Sequence, residues 1–203
     1  MSETKLIPYG MSDFERIRTE NYYYVDKTRF IPLMERTAPY IFLLRPRRFG
    51  KSLLANVLAA YYDVKMADRY EAIFKGTDVY DAPTKERSKY MVLKFNFSGV
   101  DPDPEKVDAS FNAVVLQTIK LFVQKYQDLL PDDTLAEVTS TPNCHDAFRI
   151  LMGQTKWSDY HIYLIIDEYD NFANTLLSYD EAGYMKLTHG TGFFRLFFNQ
   201  IKE

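Results

Sequence analysis

Residues 40–52 read YIFLLRPRRFGKS, and this stretch decides the expected fold. The run at 40–44 is apolar throughout, which is typical of a strand buried on both faces of a parallel sheet. After the loop that follows, apolar residues recur at helical spacing from position 53 to position 61. Strand, loop and helix in this order form the first half of a βαβ unit, so the sequence predicts an α/β fold with a parallel sheet.

The loop carries a phosphate-binding pattern. Gly50, Lys51 and Ser52 fill the last three positions of G-x-x-x-x-G-K-[ST], whereas Arg45 stands at its first glycine. At Gly50 the backbone is able to approach a phosphate closely, and the amides and dipole at the start of the helix attract an anion. Lys51 is expected to bind the β- and γ-phosphates, and Ser52 the Mg²⁺ between them. The predicted nucleotide-binding residues are Arg45, Pro46, Arg47, Arg48, Phe49, Gly50, Lys51, Ser52 and Leu53.

A second apolar run, at 162–166, ends in a pair of carboxylates. Such a strand brings its last residues to the edge of the sheet where ligands of open α/β folds bind. We expect Asp167 to bind Mg²⁺, and Glu168 to act with Lys51 in catalysis by orienting or deprotonating the attacking water. Taken alone, the segment is more typical of a solvated acidic turn that ends in Asp170, but the phosphate-binding pattern favours the site.

The three arginines of the loop leave several alternatives open. Arg45, Arg47 and Arg48 are suited to phosphate oxygens, to carboxylates of the acidic segment, or to a nucleic-acid backbone. A solvated or ion-paired role at the surface is the simplest alternative. Because the arginines flank a phosphate site, contact of at least one with an anion is favoured.

Further patterns predict the elements around these two segments. Alternation at 91–97 places Met91, Leu93, Phe95 and Phe97 on one face of a strand. The tyrosines at 22–24 are more typical of a core than of a stacking surface for a base. The expected elements are strands at 22–25 and 91–97, a long helix from Asp103 and Pro104 to about Pro131, and shorter helices at about 147–152 and at 191–202.

Composition and charge exclude several classes of protein. The chain has 46% apolar and 26% charged residues, which is ordinary for a globular domain. No apolar run approaches the roughly 20 residues of a spanning helix, and the amino terminus lacks the order of a secretory signal. We therefore expect a cytoplasmic protein without a membrane partner. Cys144 is the single cysteine and forms no internal disulfide, and a net charge of −3 gives no general attraction to nucleic acid.

Four segments together resemble one family. They are IPYGMSDF at 7–14, NYYYVDKT at 21–28, RPRRFGKS at 45–52 and LIIDEYD at 164–170. Over residues 6–203 the chain is similar to the bacterial AAA-ATPase-like proteins, in which arginine at the first position of the loop is usual. The resemblance implies a P-loop NTPase fold of the ASCE type, which is a three-layer sandwich with a parallel sheet, and ATP and Mg²⁺ as cofactors. It also implies one domain at 1–203 with an N-terminal extension at 1–38.

Members of this family usually continue well beyond the Walker B region, which corresponds to residues 162–168 here. A sensor strand, a lid and a PD-(D/E)xK nuclease-like domain follow in them. We therefore expect a chain truncated after the Walker B region, with an incomplete sheet. Without the sensor strand, two apolar strands would lose a hydrogen-bonding neighbour, and nucleotide binding and hydrolysis would both be weakened.

Two functions are left open at this point. The first is an ATP-binding and ATP-hydrolysing domain that switches an attached effector. The alternative is a non-hydrolysing, nucleotide-dependent interaction or DNA-binding module, which contacts nucleic acid through an effector domain or the loop arginines. No base-reading motif distinguishes ATP from GTP, so ATP follows from the resemblance alone, and assembly into a homo-oligomer is left open.

Overall fold

The computed structural model describes residues 4–46, 48–169, 171–178, 180–188 and 193–202. The chain divides into two compact units, Met1–Val92 and Leu93–Glu203. Strand β1 (Tyr90–Asn96) crosses the boundary between them. Each unit is considered by itself.

The first unit is mainly helical. Its described strand residues are the first residues of β1. Tyr90, where β1 begins, forms an isolated parallel bridge with Asp63. Two short 3₁₀ segments occur at Thr28–Phe30 and Val64–Arg69. The helices are α1 (Phe14–Thr19), α2 (Ile31–Thr37), α3 (Lys51–Tyr62), α4 (Tyr70–Phe74) and α5 (Asp78–Asp81).

An aromatic cluster forms much of the core of the first unit. The ring of Phe74 lies 5.2 Å from that of Phe14, 5.6 Å from that of Tyr61 and 5.0 Å from that of Tyr70, between centroids. Aromatic side chains bury large apolar areas, and tilted or offset pairs add further attraction. The cluster therefore packs α1, α3 and α4 together.

The segment between α1 and α2 is attached to α5 by Asp26. The Asp26 carboxylate accepts hydrogen bonds from the amides of Thr28, at 2.8 Å, and Asp78, at 2.6 Å. Thr28 is buried, and its Oγ1 accepts from the Val79 amide at 3.1 Å. Aspartate side chains form such turns with the backbone two residues on, so the Asp26-Lys27-Thr28 sequence leads into the 3₁₀ segment at Thr28–Phe30.

Two of the predicted strands do not form. Residues 40–44 are outside any sheet and are exposed, with Phe42 at 75% and Leu44 at 78% exposure. Residues 22–25 form no strand either, and Tyr23 donates one backbone hydrogen bond to the Leu6 carbonyl at 2.8 Å rather than joining a ladder. An apolar run becomes a buried strand only where neighbouring strands accept its hydrogen bonds, and in the described part of the chain none pairs with 40–44. Both predictions are therefore wrong.

The second unit consists of helices around a small sheet. Within the described ranges, no helix combines the length and apolar character that a bilayer-spanning segment needs. Two 3₁₀ segments occur, at Phe97–Gly99 and Thr155–Trp157. The remaining elements are α6 (Val107–Lys125), α7 (Thr134–Ser140), α8 (Cys144–Gln154), β2 (His161–Asp167), α9 (Asn171–Leu177), α10 (Glu181–Thr188) and α11 (Phe193–Lys202).

Strands β1 and β2 are hydrogen-bonded parallel neighbours in a two-stranded sheet. They correspond to the strands predicted at 91–97 and 162–166. Met91, Leu93 and Phe95 are buried, which confirms the predicted apolar face of β1. The strand ends at Asn96, so Phe97 lies in the 3₁₀ segment that follows, and Val92 on the opposite face is buried as well. The structure thus confirms an α/β protein with a small parallel sheet.

A phenylalanine cluster forms the core of the second unit. The Phe197 ring lies 5.3 Å from that of Phe95, 5.4 Å from that of Phe111 and 5.5 Å from that of Phe148, between centroids. Phe197 is fully buried on α11, so the amphipathic helix predicted at 191–202 is confirmed from Phe193 onward. Residues 191 and 192 lie outside the described residues.

The long helix predicted from Asp103 to about Pro131 is shorter at both ends in the structure. The carbonyl of Asp103 accepts from the Val107 amide at 2.8 Å and its side chain from the Glu105 amide at 2.9 Å. Asp103 therefore forms a separate turn, and α6 begins at Val107. The helix ends at Lys125, well before Pro131, because the Tyr126 backbone leaves the helical region while its ring packs on Phe122 at 4.8 Å.

Candidate functional site

The predicted phosphate loop lies in the first unit, directly before α3. It turns back on itself, since the Phe49 amide donates to the Pro46 carbonyl at 3.4 Å. The backbone is left-handed at Arg48, with a φ of 68°. Arg47 lies outside the described residues. The described loop residues before the helix are all exposed: Arg45, Pro46, Arg48, Phe49 and Gly50.

Gly50 supplies the backbone conformation that joins the loop to α3. Its φ is 77° and its ψ is 23°, a left-handed conformation that costs residues with a Cβ about 1–2 kcal/mol. A Cβ atom at this position would meet no other atom within 4 Å. Glycine is therefore favoured here by the backbone conformation, and the space beside it is open.

Lys51 is the first residue of α3, and its side chain folds back across the loop. The Nζ atom donates a hydrogen bond to the backbone carbonyl of Arg45 at 3.0 Å. This bond spans six residues and holds the ammonium against the loop backbone. A positive side chain is thereby positioned next to the amides at the start of a helix.

The first turn of α3 presents backbone donors. Lys51, Ser52 and Leu53 are its first three residues, and amides at these positions have no acceptor within their own helix. The preceding Gly50 provides no side-chain cap for them. With the helix dipole and the Lys51 ammonium, these amides form an arrangement suited to an anion such as phosphate.

The predicted carboxylates lie in the second unit, at the end of β2. Asp167 is the last residue of the strand and is 7% exposed, and its Oδ1 accepts from the Glu168 amide at 3.1 Å. Glu168 has a φ of 53°, and its carbonyl accepts from the Asn171 amide at 3.2 Å, where α9 begins. The chain therefore turns sharply after the strand. Asp170 lies outside the described residues.

Left-handed backbone conformations occur in both candidate segments. Among the described residues, those with positive φ other than glycine are Asn21, Arg48, Ser88 and Glu168. Each such conformation costs about 1–3 kcal/mol, and residues of this kind cluster at binding and catalytic sites. Arg48 lies in the phosphate loop and Glu168 in the acidic segment, while Asn21 and Ser88 lie outside both segments.

One charged residue near Asp167 was not predicted from the sequence. Lys94 lies on β1 between Leu93 and Phe95, which are both buried, and is itself half-buried. Burial lowers the pKa of the Lys94 ammonium, and the charge of Asp167 acts in the opposite direction. The sequence signal that would have identified Lys94 is a lysine that interrupts the apolar pattern of a strand.

Ser52 and Asp167 carry the oxygen donors that Mg²⁺ prefers. In the part of the chain that the structure describes, no group of three or more His, Cys, Asp or Glu side chains forms a metal site. Magnesium usually keeps several waters and binds through one or two protein oxygens together with phosphates. Each of the two side chains therefore offers, within its own unit, one oxygen of the kind that a magnesium nucleotide uses. Ser52 belongs to the first unit and Asp167 to the second.

The tyrosines near the N-terminus divide between core and surface. Tyr24 packs on Phe14 at 5.1 Å between centroids, the Arg18 guanidinium lies 5.7 Å from its ring, and burial raises its pKa to about 12. Tyr23 is 55% exposed. Tyr24 is therefore a core residue, as the sequence favoured.

The comparisons with known proteins identify a family for the chain. Its fold is that of an α/β protein in which the Gly50-Lys51-Ser52 sequence begins α3. The chain belongs to the family described as predicted AAA-ATPase, whose model matches residues 8–203, so the resemblance of the four segments is confirmed.

A curated relative matches part of the chain. It is an uncharacterized protein in the vnfD 5′ region of Azotobacter chroococcum mcd 1, and it is 40% identical over 100 residues. The match covers 49% of the present chain and 18% of that relative, so it spans well under two thirds of the relative's length. No solved structure matches the chain.

Proposed function

We propose that this chain binds ATP with Mg²⁺ and hydrolyses it, as a P-loop domain of the ASCE type. The observation that carries the proposal is the loop before α3, where a left-handed Gly50 precedes a lysine whose Nζ bonds to the Arg45 carbonyl at 3.0 Å. This loop combines a positive side chain with the amides of a helix start. Membership of the predicted AAA-ATPase family supports the same function.

Phosphate binding is assigned to residues 45–53. The amides of the loop and of the first turn of α3 donate to phosphate oxygens. Lys51 exchanges its hydrogen bond with the Arg45 carbonyl for bonds to the β- and γ-phosphates. Because hydrogen bonds between charged groups are about twice as strong as neutral ones, Lys51 contributes one of the strongest contacts.

Hydrolysis is assigned to the acidic segment after β2. Ser52 and Asp167 would bind the magnesium ion, which supplies charge neutralisation at the phosphate oxygens when it is bound. Glu168 orients the attacking water or accepts its proton. The residues then act by positioning and charge stabilisation rather than by covalent chemistry.

Glu168→Gln tests the proposed hydrolysis. The amide keeps the shape of the side chain but is not a base, so turnover is expected to fall by about 10²–10⁴-fold. ATP affinity is expected to stay within about twofold, because the change is outside the phosphate-binding residues. Phosphate release at saturating ATP measures the first quantity and fluorescent ATP binding the second. Glu105→Gln, at an exposed glutamate, is the control, and unchanged turnover in Glu168→Gln would contradict the assignment.

We extend the proposal to the protein's wider role. The nucleotide cycle would switch an attached effector in the bacterial cytoplasm, either in single chains or in a homo-oligomer. The greater length of the Azotobacter relative supports an effector, since the matched segment is 18% of that protein.

A nucleotide-dependent DNA-binding module is the second candidate. It is favoured by the exposure of Arg45 and Arg48 in the loop. Contacts with phosphates of DNA would weaken steeply as salt rises, because bound counterions are released on binding. DNA binding that is strong at low salt and absent in Arg48→Ala, in a chain that does not hydrolyse ATP, would favour this candidate over the first.

A further inference from the structure

Residues 40–44 form an exposed apolar run directly before the phosphate loop. The exposed fractions of its side chains range from 36% at Leu43 to 78% at Leu44. The run is not helical, and none of its residues has a positive φ. In the part of the chain that the structure describes, no strand pairs with it. An unpaired apolar segment of this kind is a template for pairing with another chain.

The exposed area of the run is large enough for a specific interface. Phe42 is 75% exposed and Tyr40 is 60% exposed. Because an aromatic side chain presents about 150–250 Å², these two residues and the three aliphatic ones together expose on the order of 500 Å². Two copies that covered this run on each other would bury about 1,000 Å² in total, which is the size at which specific protein interfaces begin. Monomeric proteins rarely leave apolar patches of several hundred Å² uncovered.

The composition of the run favours an identical partner over a charged one. None of residues 40–44 carries a charge, so the run has no group that attracts a nucleic-acid backbone or a charged peptide. Pro39 and Pro46 lack amide donors and confine strand pairing to the segment between them. When this segment pairs antiparallel with itself, Phe42 of one copy lies opposite Phe42 of the other. Aromatic pairs across strands are stabilising, and the arrangement has the two-fold symmetry of most homodimers.

We propose that residues 40–44 are the interface through which two copies of this chain pair, as antiparallel strands centred on Phe42. The second copy supplies hydrogen-bonding partners for the backbone of the run and removes its apolar side chains from water. The pairing requires no nucleotide, so it goes beyond the proposed ATP function and does not depend on it.

Sedimentation equilibrium of the full chain over a wide range of concentration measures the pairing. The parent is expected to form a dimer, and Phe42→Lys is expected to raise the dimer Kd at least about tenfold, because like charges directly opposite each other destabilise a strand pair. Tyr9→Lys, at an aromatic residue of the same unit that is 95% exposed, is the matched control and should leave the Kd within about twofold. A parent that stays monomeric, or a dimer that Phe42→Lys leaves unchanged, would overturn the proposal.

Disulfide cross-linking tests the register. Phe42→Cys is expected to link two copies, since opposite residues of antiparallel strands have Cα atoms about 4.5–5.5 Å apart, which a disulfide spans. Tyr40→Cys alone should not link, because its two copies would lie about 14 Å apart, whereas a mixture of Tyr40→Cys and Leu44→Cys chains should. Cys144 is buried, and burial raises the pKa of its thiol to about 11, so the parent is the unlinked control. No link at position 42, or links at position 40 alone, would overturn the antiparallel pairing.

Discussion

Single residues define the phosphate loop through backbone conformation as well as through charge. Gly50 turns the chain into α3 with a φ of 77°, and Arg48 adopts a φ of 68° two residues earlier. Lys51 then closes the loop through the Arg45 carbonyl. The residue types at 50 and 51 are readable from the pattern, but the conformation of Arg48 is not, because arginine rarely adopts it and only the folded loop imposes it.

Gly50→Ala is expected to lower the free energy of unfolding by about 1 kcal/mol, because alanine is disfavoured in the left-handed region. No clash contributes, since a Cβ there meets no atom within 4 Å. Urea unfolding measures the change. Gly153→Ala is the matched control: Gly153 is exposed on α8 with equally open surroundings, so alanine should stabilise the helix by up to about 1 kcal/mol. Effects of the same sign at both positions would contradict the loop conformation.

Two features near the acidic segment, at Lys94 and Glu168, could not be predicted from single residues. The sequence shows that a glutamate, Glu168, follows an apolar run. Its φ of 53° is not readable there, because the turn between β2 and α9 imposes it. The proximity of Lys94 to Asp167 depends on which strands are neighbours, a property of the sheet rather than of either segment.

At the scale of elements, the periodicity of apolar residues predicted the helices and strands whose apolar faces are buried in the fold. Helix α3, strands β1 and β2 and helix α11 were all predicted, because each has an apolar face or run that is at least partly buried. The run at 40–44 is equally apolar, yet it is exposed and outside the sheet. Strand formation depends on hydrogen-bonding neighbours, which a local pattern does not specify.

The attachment of the N-terminal segment to α5 gives an element-scale prediction. Asp26→Ala removes the acceptor of the Thr28 and Asp78 amides and is expected to lower the free energy of unfolding by about 1–3 kcal/mol. Asp26→Asn keeps one side-chain oxygen and should lose less. Asp68→Ala, at an exposed aspartate of the same unit, is the control. If Asp26→Ala and Asp68→Ala destabilise the chain equally in urea unfolding, the attachment does not contribute as described.

At the scale of the whole molecule, the proposed function draws on both units. The phosphate loop belongs to Met1–Val92 and the carboxylates to Leu93–Glu203. The family match extends over both, from residue 8 to residue 203. Nucleotide binding by this chain is therefore the central claim, since hydrolysis and any effector switch both depend on it.

The most direct test of that claim is a titration of the purified chain with fluorescent ATP and Mg²⁺. The parent and Lys85→Ala, which changes an exposed lysine of the same unit, are expected to bind saturably and alike. Lys51→Ala is expected to bind at least about tenfold more weakly, because a hydrogen bond to a charged group contributes about 1.5–3 kcal/mol. Equal affinity in the parent and Lys51→Ala, or no binding by a folded parent, would contradict the account.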